Sequence, residues 1–287
     1  FQIGYETDYR KLLNSDEIQG VSIVTPSPTH YQLTRDFIDS KKDVLVEKPM
    51  TLDVGEAEKL VDVVKNSEQV CMVGHIFRYH PSVLELKRRL DAREFGEVIY
   101  LFCNRLAFRA PRQDMGVLYA LTIHEVDLFC YLLNHEYPES IFAVLSNYYQ
   151  PEIEETAMVT MNFPNNVKCF AFESWLSPIY GKQRDLVLIG THKSARIDYL
   201  KPHELQIFDS SVVEENVEGR KEFKGLHEGS RVLPIDYKEP LKEEFKHFVA
   251  RMKDRGKPNS DVRIGQRAVE MVEKAKESAA KNTPISF

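Results

Sequence analysis

Apolar residues follow two regimes along the chain. Up to about residue 80 they form short β-branched runs separated by stretches with helical spacing. Val21-Ser22-Ile23-Val24, Val44-Leu45-Val46 and Val70–Gly74 are the runs, and each predicts a strand. Leu33, Phe37 and Ile38 recur at helical spacing after the first, and Ala57, Leu60, Val61 and Val64 after the second. Thr25-Pro26-Ser27-Pro28-Thr29 breaks the first strand. Ser27 is placed to cap a helix over 28–40, with Pro28 at its first position. A short helix over 8–14 precedes these elements. Strand–helix–strand–helix–strand predicts parallel pairing through right-handed crossovers.

After Arg78 the pattern changes. A helix is predicted over Pro81–Leu90, a long strand over Val98–Leu106 and a strongly apolar helix over Gly116–Leu133. In Thr156–Phe163, the apolar residues Ala157, Val159, Met161 and Phe163 alternate with Thr156, Met158, Thr160 and Asn162, which is the period of a strand. Asn165-Asn166 predicts a tight turn, and Val167–Trp175 returns. Leu186–Ile189 and Ala195–Leu200 predict a hairpin. Residues 211–230, charged and containing glycine, read as a loop. Pro240 opens a helix carrying Leu241, Phe245, Phe248, Val249 and Met252, and a last helix runs from about Val262 to Ala280. The expected fold class is α/β. A parallel Rossmann-type sheet occupies a domain over 1–78, followed over 79–287 by an α+β domain with a large, mostly antiparallel sheet. Such a sheet can leave one face free.

The chain has 287 residues, 43% hydrophobic and 29% charged, with 16 Phe and 13 Tyr. That aromatic content excludes disorder as the main state. The longest apolar runs are too short for a membrane span, and the opening FQIGYETDYRKLL has no signal-peptide pattern. Cys71, Cys103, Cys130 and Cys169 lie far apart and read as reduced thiols, so a cytoplasmic location is expected. The net charge of -6 argues against nucleic acid as a partner. No membrane partner is expected.

Candidate chemistry gathers at two places. Lys48 ends an apolar strand, with Thr25-Pro26 at the same level on the preceding one. Open parallel sheets bind ligands beyond the carboxyl ends of their strands, although a lysine after a strand is also an ordinary solvated charge. The Lys48–Pro49 bond is a candidate for the cis form. His124 lies among Leu121, Ile123, Val126 and Leu128. It reads either as a buried structural histidine or as a general base titrating near neutrality. Asp127 either orients His124 or satisfies a helix terminus. Arg78 either contacts a cofactor or substrate phosphate or forms an interdomain ion pair, the second being favoured. His75 and His80 are poorly spaced for a metal, and none is expected.

TPSPTH (25–30), EKP (47–49), GHIFRYHP (74–81) and GVLYALTIHEVDL (116–128) occur in this order. In that combination the chain resembles the Gfo/Idh/MocA family of nicotinamide-dependent sugar oxidoreductases over nearly its whole length. ESWLSP and KQRDLVLIGTHKSARIDYL (173–200), with EPLKEEFKHF (239–248), look similar to the UDP-N-acetylglucosamine 3-dehydrogenase branch. The resemblance implies NAD (or NADP) as cofactor. Its substrate would be a sugar or sugar nucleotide, oxidised at a secondary hydroxyl such as C3 of a UDP-N-acetylhexosamine. Inositol or a simple aldose is the alternative. The implied catalytic residues are Lys48 and His124. The implied cofactor-binding residues are Thr25, Pro26, Ser27, His30, Glu47, Lys48, Pro49 and Arg78. Tyr180, Lys182 and Arg184 read by default as a solvated loop, and could instead meet a nucleotide-sugar diphosphate. A homodimer or homotetramer through the free sheet face is also implied.

Two departures stand out. No two of the 13 glycines are separated by one residue, so the Gly-rich phosphate-binding turn is absent. Two βα units of about 30 residues each are expected to precede Phe1 in a longer protein, and this chain alone is expected to bind dinucleotide poorly. The family usually has Asp four residues before the helix histidine, and here that position is Ala120. An impaired relative that binds a sugar nucleotide as a sensor is therefore an alternative to an enzyme.

Overall fold

The computed structural model describes residues 4–178 and 181–287. They cluster into two compact units. Unit 1 comprises Phe1–Ile76 and Leu241–Glu270, and unit 2 comprises Phe77–Pro240 and Met271–Phe287.

Unit 1 is built on three parallel strands, β1 (Gly20–Ile23), β2 (Asp43–Glu47) and β3 (Cys71–Gly74), in that spatial order. Helix α1 (Arg10–Leu13) precedes them. Helices α2 (His30–Asp39) and α3 (Val54–Lys65) supply the crossovers. Ile23, Val44, Val46 and Val73 from the strands pack with Phe37 and Ile38 of α2 and Ala57 and Leu60 of α3. The side chain of Asp53 caps α3 by accepting a bond from Glu56 N at 2.8 Å. Ser27 does not cap α2 as expected. Residues Ser27–Thr29 form a 3-10 turn instead, so the α-helix starts only at His30. The Thr29 hydroxyl bonds back to the Pro26 carbonyl at 2.8 Å.

Helix α6 (Pro240–Asp254) and the first part of α7 (Val262–Lys281) belong largely to this unit, whereas the sequence reading runs the second domain on to 287. The attachment is physical. Val73 N donates to the Ser260 carbonyl at 2.8 Å, and Arg255 pairs with the buried Asp43 at 2.6 Å. Gly265 lies against β3 so closely that a Cβ there would sit 2.7 Å from Val73 Cγ2.

Unit 2 starts with α4 (Pro81–Asp91) and β4 (Val98–Ala107). A π-helical turn, Leu118–Thr122, then runs directly into α5 (Ile123–Leu133). The strands that follow are β5 (Ser140–Ser146), β6 (Thr156–Asn162), β7 (Lys168–Ser174), β8 (Lys182–Gly190) and β9 (Ser194–Asp198). The last are β10 (Glu204–Val217), β11 (Arg220–Pro234) and β12 (Ile285–Ser286). The nine strands form one sheet in the order β11-β10-β9-β8-β4-β7-β6-β5-β12. Its pairings among the described residues are antiparallel except β4 with β7. Alternation sets its two faces. Leu101, Cys103 and Arg105 are buried on one, while Val144, Met158 and Phe170 on the other are exposed.

The expected loop over 211–230 is a correction. It is most of a long hairpin, β10–β11, reversed at Glu218 and Gly219 in the left-handed region. β9 pairs with β10 only over Gln206–Phe208. The ribbon beyond is therefore two-stranded and wet on both faces, and water on both faces removes the apolar alternation by which a strand is recognised. The four cysteines are buried and none is in a disulfide. No helix among the described residues is long and apolar enough to cross a membrane.

Candidate active site

The first cluster lies at the carboxyl ends of β1 and β2 in unit 1. His30, at the first turn of α2, is buried, with Nδ1 2.7 Å from the Pro49 carbonyl and Nε2 2.9 Å from the Thr25 carbonyl. It thus ties the segment after β1 to the segment after β2. Both partners are carbonyl oxygens, which only accept, so a neutral imidazole with its single N–H donates to one of them at a time. Thr25 and Thr29 share a hydroxyl–hydroxyl bond of 2.7 Å, while Thr25 and Pro26 stay exposed and Ser27 is buried. The Lys48–Pro49 bond is cis. Glu47 is half-buried and its carboxylate accepts from Lys48 N at 3.2 Å. Burial pushes the Glu47 pKa up, against the opposing pull of Lys48 and His30. A Cβ on Gly74 would come within 3.1 Å of that carboxylate, so the glycine lets Glu47 lie against β3. Thr25, Pro26, Ser27, His30, Glu47, Lys48 and Pro49 are thus brought to one end of one sheet.

The second cluster surrounds His124 in unit 2. The half-buried His124 meets the Phe77 ring edge-on at 4.9 Å. The Arg105 guanidinium lies 4.2 Å from the same ring, and Tyr199 meets it at 4.9 Å. Arg105 forms a buried ion pair with Glu125, the residue after His124. Thr122, two residues before His124, donates its hydroxyl to Glu173 of β7. Arg105 and Glu173 are direct partners in the β4–β7 ladder, and Arg184 faces Arg105 from β8. One rung of the sheet thus carries Glu173, Arg105 and Arg184. The alternation of β4 and β7 carried a signal for the first two. Each is a charged residue at a position whose parity is otherwise apolar (Leu101, Cys103; Cys169, Ala171).

Arg78 and Asp127 form a bidentate pair inside unit 2, with Nε–Oδ2 at 2.7 Å and Nη2–Oδ1 at 2.6 Å. The ion pair favoured for Arg78 is present, with both members in unit 2 rather than in different domains. It also gives Asp127 a role in neither of the two ways considered from sequence. Burial alone would lower the Arg78 pKa, but Asp127 outweighs it and raises it. Lys182 is exposed and Arg184 half-buried, while Tyr180 lies outside the described residues. No group of three or more His, Cys, Asp or Glu suited to a metal ion occurs among the described residues.

His80 packs against Tyr199 at 5.3 Å, and burial together with Arg105 pushes its pKa down to about 4. The unfolded chain would titrate near 6.5, so between pH 6.5 and 4 it binds the proton that the folded state refuses. Stability is therefore full above pH 6.5 and falls as pH drops through this window, by about 3 kcal/mol at ~1.4 kcal/mol per pH unit. Urea denaturation of wild type and His80→Gln at pH 7 and 4.5 checks this. The variant should lose less stability on acidification.

Residues 1–75 match the profile described as "Oxidoreductase family, NAD-binding Rossmann fold", and residues 83–196 match the GFO/IDH/MocA C-terminal domain. The chain is 37% identical over 129 residues to a UDP-N-acetylglucosamine 3-dehydrogenase of Acidithiobacillus ferrooxidans, covering 45% of this chain and 40% of that one. It is 28% identical over 215 residues to the NAD(+)-dependent scyllo-inositol 2-dehydrogenase of Bacillus subtilis, covering 72% and 63%. These matches span less than two thirds of either relative. In fold it is similar to levoglucosan dehydrogenase in complex with NADH and levoglucosan. The TM-score is 0.83 at 19% identity, over 98% of this chain and 83% of that one.

Proposed function

The chain belongs to the Gfo/Idh/MocA oxidoreductase family, and on that premise we propose that it oxidises a secondary hydroxyl of a sugar, with NAD as the hydride acceptor. The observation that carries this reading is the edge of the parallel sheet at the carboxyl ends of β1 and β2, where the buried His30 lies within hydrogen-bond distance of both the TPSPTH and the EKP segments. The dinucleotide fits there in kind, because exposed Thr25 and Pro26 and the half-buried Lys48 border the end of a parallel sheet. When bound, NAD supplies the hydride chemistry.

The chain's own residues handle the rest. Ser27, Glu47 and Pro49, buried or half-buried, hold the two segments that carry Thr25, Pro26 and Lys48. Lys48 hydrogen-bonds the reacting oxygen and stabilises its developing charge. His124 accepts the hydroxyl proton, a task suited to imidazole at neutral pH. Arg78, bound to Asp127, anchors the segment after β3 to α5. For the substrate, we favour C3 of a UDP-N-acetylhexosamine, supported by the 37% identity to a UDP-N-acetylglucosamine 3-dehydrogenase. Arg184 is suited to its diphosphate.

The test is NADH formation at 340 nm by the full-length protein. It is offered UDP-N-acetylglucosamine, myo-inositol or glucose, each with NAD or NADP. Turnover with the UDP-sugar alone is expected. Turnover with myo-inositol alone would transfer the reading to an inositol dehydrogenase. Ala120 favours a second reading, an impaired relative that binds sugar nucleotide without turning it over. Ala120→Asp is expected to raise turnover about tenfold or more, the scale of a restored acid–base partner. An unchanged rate would show that position 120 does not limit the reaction.

The free sheet face with Val144, Met158 and Phe170 exposed suits a second copy of the chain, since contiguous apolar patches mark interaction sites. Light scattering should give a dimer or tetramer, and Phe170→Glu with Met158→Glu should give smaller species.

A further inference from the structure

Resting on the reading of His124 as the proton acceptor, we propose that the Arg105–Glu173 rung positions His124. Three contacts run from this rung to residues beside the histidine. Glu173 receives the hydroxyl of Thr122, two residues before it. Arg105 holds the carboxylate of Glu125, one residue after it. Arg105 also lies 4.2 Å from the Phe77 ring, which meets the His124 ring at 4.9 Å. All three start from neighbouring residues of β4 and β7.

The clamp has a physical reason to exist. The π-turn Leu118–Thr122 ends immediately before α5. A π-turn is a one-residue irregularity in an α-helix, common at functional sites. If it migrated by one residue, the side chains it passed would rotate by about 100°, the angular step of a helix with 3.6 residues per turn. Its beginning is held by Glu154, which accepts from Leu118 N at 2.9 Å. A Cβ on Gly116 would lie 2.1 Å from that carboxylate, so the glycine makes room for it. Its end is held by Thr122 on Glu173, and the helix beyond by Glu125 on Arg105. With both ends fixed, the irregularity cannot drift past His124.

Thr122→Val removes the hydroxyl at nearly constant shape, and Thr122→Ser restores it. Two quantities are measured on the full-length protein, steady-state kinetics and the NMR resonance of His124 Cε1–H, assigned with His124→Gln. That proton reports ring position through the Phe77 ring current and needs no substrate. Thr122→Val should lower kcat by roughly tenfold to a hundredfold with KM within about twofold, the scale of a small misplacement of a reacting group. It should also shift the resonance, and Thr122→Ser should reverse both effects. Wild-type kcat with an unmoved resonance in folded Thr122→Val would overturn the proposal. If Thr122→Val does not fold, Glu173→Met against Glu173→Gln decides by the same resonance, since only Gln keeps an acceptor for the hydroxyl. If wild type turns over no sugar, the dehydrogenase reading fails, while the resonance still decides whether the rung holds His124.

Discussion

Glu125→Leu is expected to destabilise the second unit by about 3–5 kcal/mol, because it leaves the Arg105 guanidinium buried without its counter-charge. Both members of the pair are almost wholly inaccessible, Arg105 at 4% and Glu125 at 0% exposure. Burial pulls the arginine toward its neutral form, and the Glu125 carboxylate reverses that pull, so its pKa rises. The mutation removes the favourable half of this balance and keeps the desolvation. The double variant Arg105→Met, Glu125→Leu should recover much of the loss, because replacing both charges with apolar side chains of similar volume is often neutral. Urea denaturation of the two single variants and the double variant gives the coupling energy directly. A single Glu125→Leu within about 1 kcal/mol of wild type would mean that water reaches the guanidinium and that the pair is not a sealed one.

Lys48→Met and His124→Asn are each expected to reduce kcat by about 10²–10⁴-fold, the range for removing a group that handles the transferred proton, with thermal stability close to wild type. Lys48 and His124 are only half-buried, so neither substitution opens a cavity in a core. Initial rates at 340 nm with the preferred sugar, beside melting curves, separate this from a folding defect. Full activity in Lys48→Met would remove Lys48 from the chemistry and leave it a border of the sheet edge.

The features that alternation and motif spacing encode were readable from the chain. Strands β2 and β3 are apolar runs buried on both faces, β1 lies in a β-branched run, and β6 alternates with one buried apolar face, so the local pattern named them. The TPSPTH and EKP segments follow strand ends, and chain order alone puts them at one edge of a parallel sheet. Burial of His30 at that edge was not readable. A histidine near a helix start looks the same whether its nitrogens face a ligand or two carbonyls 2.7 and 2.9 Å away. Arg78 and Asp127 were noticed as charges, but their partnership joins residues 49 positions apart, and no local rule links such a pair.

By itself the sequence determined the two kinds of sheet, the order of the motifs and the departure at Ala120, because these depend on residue type and on spacing within a few turns. The tertiary structure alone decided that 241–270 returns to the first unit, that 211–230 is a ribbon and that one rung of β4 and β7 grips the helix on both sides of His124. These outcomes depend on which distant surfaces exclude water together. A buried charge such as Arg105 or Glu173 acquires its meaning only from the partner that folding brings to it.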